Sequence, residues 1–238
     1  MSEYHMNNVL VTGANRGIGL AFVSAYLQRG NRVIATCRGP SQASELHELQ
    51  QTYGEAIIVL PMDVTDAQQI TACQTEVAKR VNSLHLLINN AGILRQAERL
   101  HEIEMHDLMD SFQINAAGPV IVAKAFLELL RAGAPSKLVN ITMPTQPVSK
   151  LERTENHPYI ASRYALNSLT KMLALELREY GITTVGLYPG MIQTDMNQYS
   201  VEAVPAAEGI LKAVSAIENI TQEQNGLALL PDGSIYDW

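Results

Sequence analysis

Short apolar runs rich in β-branched residues alternate along the chain with longer amphipathic stretches, and this alternation leaves few ways to fold. Val9-Leu10-Val11 comes first, followed by a helical pattern from Gly17 to Arg29 that Gly30 can cap. Then come Arg32 to Cys37, a helix from about Ser41 to Tyr53, Ile57 to Met62, a helix from about Asp66 to Val81, and Leu84 to Asn89. Strands that are apolar on both faces and separated by crossover helices require a parallel sheet covered on both sides. The second half continues with a long helical region from about Glu102 to Arg131 and a strand at Leu138 to Thr142. A helix follows from Pro158 to Tyr180, with Pro158 suited to its first turn. A strand at Thr184 to Tyr188, a turn at Pro189-Gly190, a helix from about Val201 to Glu218 and a short strand at Leu227 to Leu230 complete the pattern.

No linker, internal repeat or low-complexity segment interrupts this order, so residues 1–238 are read as one α/β domain. The expected fold is a single-domain, doubly wound parallel sheet of Rossmann-like type with helices on both faces. A chain of 238 residues buries about 70% or more of its unfolded surface, enough to fold without a disulfide or metal staple. With 47% hydrophobic and 17% charged residues it is too apolar for a disordered chain. It also lacks the run of about 18 apolar residues that a spanning helix needs, so no membrane is expected. Its 17 basic and 24 acidic residues leave a net charge of −7 without a basic block, which argues against a nucleic-acid partner. Cys37 and Cys73 lack zinc-ligand spacing, His101 and His106 stand i, i+5, and no metal site is expected. The opening Met1-Ser2-Glu3-Tyr4-His5 has neither the basic start nor the apolar stretch of a signal peptide, so the reading is a reducing, cytoplasmic location. The Asn140-Ile141-Thr142 sequon falls in an apolar run and reads as a chance match.

Thr12-Gly13-Ala14-Asn15-Arg16-Gly17-Ile18-Gly19 sits where the first strand hands over to the first helix. Glycines there let the backbone approach a pyrophosphate, which the helix N-terminus stabilises with free N–H groups and its positive dipole end. The spacing is Gly-x-x-x-Gly-x-Gly, and a merely tight turn is the bland alternative. The second strand ends Ala35-Thr36-Cys37-Arg38, without the carboxylate that would bind a ribose 2′-hydroxyl. Arg38 can instead pair with a 2′-phosphate and Arg16 can approach the same group, so NADP is preferred to NAD, against the alternative of two solvated arginines.

Together these residues resemble the short-chain dehydrogenase/reductase family over essentially the whole chain. Thr12 to Gly19 is similar to its cofactor turn, Asn89-Asn90-Ala91-Gly92 to its motif after the fourth strand, and Asp63-Val64 to its adenine-binding pair. Asn115 is similar to its helix asparagine, and Pro189-Gly190 with Thr194 to its segment over the nicotinamide. The Gly13 to Gly17 wording and the closing Gly233-Ser234-Ile235-Tyr236-Asp237-Trp238 look most like the C-factor and small carbonyl-reductase group. From the residues alone, Asn89, Asn90 and Asn115 can equally satisfy backbone groups in a packed turn, and Asp63 can serve as an N-terminal charge for the next helix.

The resemblance implies a catalytic quartet of asparagine, serine, tyrosine and a lysine four residues after the tyrosine. Asn115 and Tyr159 fit, but the lysine position is Arg163 and the serine position is Met143. An i, i+4 spacing puts Tyr159 and Arg163 on one helix face, where unit charges about 4 Å apart interact by about 4 kcal/mol at an effective dielectric near 20. Arginine exchanges protons poorly and cannot place a compact ammonium on a ribose. Met143 lacks the hydroxyl that would polarise a substrate carbonyl, a loss of about 10² to 10³ in rate. A one-residue shift could offer Thr142, and Thr145 or Ser149 in the loop could reach in, but Met143 holds the matching place.

Two expectations follow. One is an NADP-dependent oxidoreductase with impaired catalysis, acting on a small-molecule carbonyl or alcohol, with Tyr159 as general acid or base, Arg163 poising it, and, as the resemblance implies, Asn115 holding the helix and a water. The other is a catalytically weak nucleotide-binding sensor or signalling protein. By resemblance the chain is also expected to be a dimer or tetramer packed through the helices around Glu102 to Arg131 and Pro158 to Tyr180.

Overall fold

A computed structural model describes residues 6–152, 156–194 and 203–238. In chain order the elements are β1 (Asn8–Thr12), α1 (Gly17–Gln28), β2 (Arg32–Cys37), α2 (Ser44–Tyr53), β3 (Ile57–Pro61), α3 (Ala67–Ala78) and β4 (Leu86–Asn89). They continue with α4 (Met105–Phe112), α5 (Gly118–Ala125), α6 (Leu127–Ala132), β5 (Ser136–Ile141), α7 (His157–Leu177), β6 (Ile182–Leu187), α8 (Ala206–Glu218), β7 (Ala228–Leu229) and β8 (Ile235–Tyr236). The described residues form one eight-stranded sheet in the order β3-β2-β1-β4-β5-β6-β7-β8, parallel except for β8, which runs antiparallel to β7.

Alternate residues of each strand enter opposite layers, as the two-residue period of a strand dictates. Val9, Val11, Val33 and Ala35 pack with Phe22 and Val23 of α1 and Val214 and Ile217 of α8. Leu10, Ile34 and Ile58 pack on the other face with Ile70 and Val77 of α3 and with Phe126 and Leu130. The strands are buried on both faces, which is why their sequences read as continuous apolar runs. The chain is thus a single-domain, doubly wound α/β fold.

Several boundaries differ from the sequence reading. The region from Glu102 to Arg131 is not one helix. Pro119 has no N–H to give the carbonyl four residues back, and the chain winds through a π turn at Gln113–Ala117, with the Gly118 N–H reaching Gln113. A further break at Phe126 separates α5 from α6. β5 and β6 start two residues earlier than expected, because Ser136 and Lys137 find partners in Ile182 and Thr183. β6 ends at Leu187, ahead of Pro189. The helix expected from Val201 begins at Ala206, residues 201 and 202 lying outside the described residues. β8 is not among the strands the apolar runs predict, although Pro231-Asp232-Gly233 between two apolar pairs is a hairpin signal. Gly233 has φ +83° there, and the Asp232 carboxylate accepts from the Ser234 N–H at 3.0 Å.

Asn140 of the sequon is fully buried in β5, its Nδ2 donating to Thr170 Oγ1 at 2.8 Å. Cys37 and Cys73 are free and buried. Among the described residues no helix is long and apolar enough to cross a membrane.

Candidate active site

The strand order reverses between β1 and β4, and the crevice beyond the carboxyl ends of these two strands is where such sheets take ligands. Gly13 (φ +62°) and Gly17 (φ +53°) adopt backbone that L side chains avoid. A Cβ on Gly13 would lie 2.9 Å from Ala91 Cα, and one on Gly19 would overlap the Gly13 carbonyl and approach Asn90 Nδ2 to 2.5 Å. The turn is therefore folded against the 89–92 segment, with its backbone bare. Arg16 stands in extended conformation before α1, and no side chain caps the helix, so its first N–H groups face the crevice without an internal acceptor. Ile18 and Asn15 are half-buried and Arg16 is exposed.

Asparagines lock this turn. The Thr12 hydroxyl accepts from the N–H groups of Asn90 and Ala91, both at 3.0 Å, while Asn90 Nδ2 donates to the Thr12 and Gly13 carbonyls at 2.9 and 3.1 Å. Asn89 Nδ2 donates to the Pro119 carbonyl and to Asn140 Oδ1. Thr194 closes over the turn, 3.1 Å from where a Gly17 Cβ would be, and Gly190 takes φ +96° after the buried Pro189. Asp63 does not cap α3. Its Oδ1 accepts from the Thr65 N–H and hydroxyl at 2.9 and 2.8 Å, and Asp66 caps the helix instead. Val64 is buried beside it, and Arg38 is exposed at the end of β2.

At the other end of the crevice α7 presents Tyr159 and Arg163 on one face, as their spacing predicts. The Arg163 Cζ lies 4.9 Å from the centroid of the Tyr159 ring, so the cation stands over the ring. Arg163 is only 6% exposed, Nη1 donates to the Ile141 carbonyl at 3.1 Å, and Nε is buried without a hydrogen-bond partner. Gly92 makes room for it, since a Cβ there would sit 2.8 Å from Nη2. Asn115, fully buried in the π turn, accepts from the Ile93 N–H at 2.8 Å and donates to the Ile93 carbonyl and to Ser162 Oγ. It ties β4's loop to α7.

The hydroxyls considered for the Met143 gap are differently placed. Thr142 spends its proton on Asn167 Oδ1 at 2.6 Å, and Asn167 Nδ2 donates to Thr145 Oγ1 at 2.9 Å. Thr145 and the exposed Ser149 line a cleft of about 820 Å³ between the 144–152 loop and Tyr236-Asp237. Tyr164 donates to the Gln146 carbonyl at 2.6 Å and holds this loop on α7.

Sequence reasoning missed the aromatic residues that complete the site. Tyr236 donates to the Met143 carbonyl at 3.0 Å, and Trp238 covers Gly186, whose Cβ would fall 2.6 Å from the indole. Tyr188 lies within electrostatic reach of Tyr159, and Tyr236 within reach of Tyr188. Burial raises the Tyr188 phenol, with a smaller contribution from Tyr159; burial raises Tyr236 too, with Tyr188 adding to it. The tail contacts were foreshadowed only by the absence of a side chain at Gly186.

Sheet order and a glycine-lined crevice at the β1/β4 reversal define the doubly wound, Rossmann-like class. The family profile described as short chain dehydrogenase matches residues 7–205, and the chain belongs to that family. An NADPH-bound carbonyl reductase from chicken fatty liver superposes with a TM-score of 0.91 at 32% identity, covering 98% of this chain and 99% of that one. The carbonyl reductase Sniffer of D. melanogaster gives a TM-score of 0.90 at 29% identity, covering 98% of this chain and all of that one. The short chain dehydrogenase gsfK of Penicillium aethiopicum is 30% identical over 97% of this chain and 98% of its own length.

Proposed function

We propose that the chain is a single-domain, NADP-dependent oxidoreductase that passes hydride between nicotinamide and a carbonyl or alcohol carbon, with slow turnover. The observation that carries this reading is the Tyr159 phenol held under the Arg163 guanidinium at one end of a crevice whose other end is a bare glycine turn on an uncapped helix. The cradle fits a dinucleotide: side chains at Gly13 or Gly19 would push the turn off the 89–92 segment that holds its bare backbone in place, and the buried Arg163 Nε still lacks an acceptor. The carbonyl reductases that share the fold, one of them NADPH-bound, favour the same cofactor.

Gly13, Asn15, Gly17, Ile18 and Gly19 would hold the pyrophosphate, Arg16 and Arg38 the 2′-phosphate, and Asp63 and Val64 the adenine. Asn89, Asn90, Ala91 and Gly92 would line the central crevice, with Pro189, Gly190 and Thr194 over the nicotinamide. Bound there, NADP(H) supplies or accepts the hydride. Tyr159 gives its proton to the carbonyl oxygen in reduction and takes it back in oxidation. Arg163 stabilises the charge left on the phenol, and Asn115 fixes the spacing of α7 from the β4 loop. Met143 supplies no hydroxyl and Arg163 exchanges protons poorly, and the weaker proton relay keeps turnover slow. The buried, free cysteines suit a reducing cytoplasmic compartment.

A second reading is a nucleotide-binding sensor with little turnover, favoured by Met143 and by the Arg163 fork being turned onto the Ile141 carbonyl. Calorimetric titration with NADPH and NADH tests the cofactor: tight NADPH binding that weakens in Arg38→Ala is the expected result. The double change Met143→Ser with Arg163→Lys then separates the readings. A strong gain in aldehyde and ketone reduction supports the oxidoreductase, and no gain across a broad panel supports the sensor.

A further inference from the structure

The gap at Met143 leaves a substrate carbonyl with Tyr159 as its single assigned donor, and the hydroxyls nearest in sequence do not fill it. Thr142 has spent its proton on Asn167, and the Tyr236 proton is committed to the Met143 carbonyl. Tyr188 differs from both. Its backbone is pinned by the N–H bond to the Leu229 carbonyl at 2.9 Å, one residue past the end of β6. Val185 and Leu187 face the layer of α1 and α8, so by alternation Tyr188 stands on the opposite face with Gly186, beneath the tail that carries Trp238. It lies within electrostatic reach of Tyr159 and is half-buried, and its hydroxyl has no hydrogen-bond partner among the described residues.

We propose that Tyr188 is the second carbonyl donor of this site, its phenol taking the place of the hydroxyl that Met143 lacks. The inference rests on the carbonyl reading above. In reduction the carbonyl carbon takes the hydride, the π bond opens onto oxygen, and the oxygen takes the Tyr159 proton, which solvent replaces. Tyr188 donates a hydrogen bond to that oxygen throughout and keeps its own proton.

The test compares the parent, Tyr188→Phe, Met143→Ser and the double variant, all full-length and loaded with NADP(H); the tryptophan emission and melting temperature of Tyr188→Phe show whether its fold is retained. Two readouts are taken: turnover of the best aldehyde found in the panel, and calorimetric binding of benzamide, a planar carbonyl that hydride does not reduce. Tyr188→Phe is expected to lower kcat about 10²-fold, the scale of one lost oxyanion donor, and to weaken benzamide binding at unchanged NADPH affinity. Met143→Ser restores both in the Tyr188→Phe background and adds less in the parent, since the two hydroxyls serve one oxygen. Turnover and benzamide binding within twofold of the parent in Tyr188→Phe overturn the proposal, as does a parent that binds no benzamide at millimolar concentration. A parent that binds benzamide through Tyr188 but reduces no aldehyde leaves the donor in place and refutes the oxidoreductase reading instead.

Discussion

Gly186 carries Trp238 on its bare Cα, and a Cβ there would also come within 3.2 Å of the Thr142 methyl, so Trp238 packs where β5 and β6 meet the site. A methyl at this position has no room. Gly186→Ala is expected to cost about 1–3 kcal/mol, the usual range for overpacking, and to release the indole. Since Trp238 is the sole tryptophan, a red-shifted emission reports this directly. Asn115 is the second residue on which the site hangs. Its amide satisfies both the N–H and the carbonyl of Ile93, and Asn115→Ala strands both. Ile93 is half-buried, so a loss of about 1 kcal/mol for each broken bond is expected, read as a lower denaturation midpoint with unchanged m-value. Arg163 shows how an i, i+4 pair predicts proximity but not posture: the helix set it beside Tyr159, while the Ile141 carbonyl and the Gly92 gap decided that it lies over the ring.

At the level of elements, α3 owes its start to Asp66, whose Oδ1 accepts from the N–H groups of Gln68 and Gln69 at 2.9 and 3.1 Å. The backbone bond from Gln69 and its side-chain amide hold the Asp66 carboxyl below the ordinary aspartate range. A carboxyl lowered by folding contributes stability that is complete above its unfolded pKa, about 3.9, and is lost as pH falls through the folded value. The melting temperature of the parent should therefore exceed that of Asp66→Ala at neutral pH, and the difference should shrink as pH drops below about 4. Equal differences at both ends would mean the cap works without its charge. The π turn is the other element-scale feature. Pro119, which has no N–H for the Asn115 carbonyl, follows just after it, and within it Asn115 turns inward toward Ile93 and Ser162.

For the whole molecule, exposed Met105, Met109 and Phe112 follow one stripe of α4, and exposed Met172 and Leu175 lie on α7, which packs beside it. Such a patch on two neighbouring helices is what a self-association surface requires. We expect a homo-oligomer through this face, with Phe112→Glu sedimenting as a monomer at concentrations where the parent does not. Nucleotide should stabilise the molecule by mass action, by about 2.7 kcal/mol at a hundredfold excess over Kd. NADPH is expected to raise the melting temperature more than NADH, and Arg38→Ala to narrow that difference.

The alternation of strand and helix from β1 to β7, the glycine turn and the Tyr159–Arg163 face are local in origin. Apolar period, turn chemistry and i, i+4 spacing are properties of consecutive residues, so the amino-acid sequence by itself determined them. The interruption at Gln113–Ala117 broke a region whose apolar period reads as one helix, and its consequence for Asn115 needed the β4 loop to be in place. The tertiary structure decided what depends on residues far apart in the chain. Tyr236 meets Met143 across 93 positions, Trp238 reaches Gly186, and Tyr188 comes near Tyr159 because β6 and α7 pack side by side. Asn167 likewise reaches back to claim Thr142. Contacts of this kind carry no periodicity in either partner. They arise only once the sheet has set the spacing of its strand ends, and there the site is built.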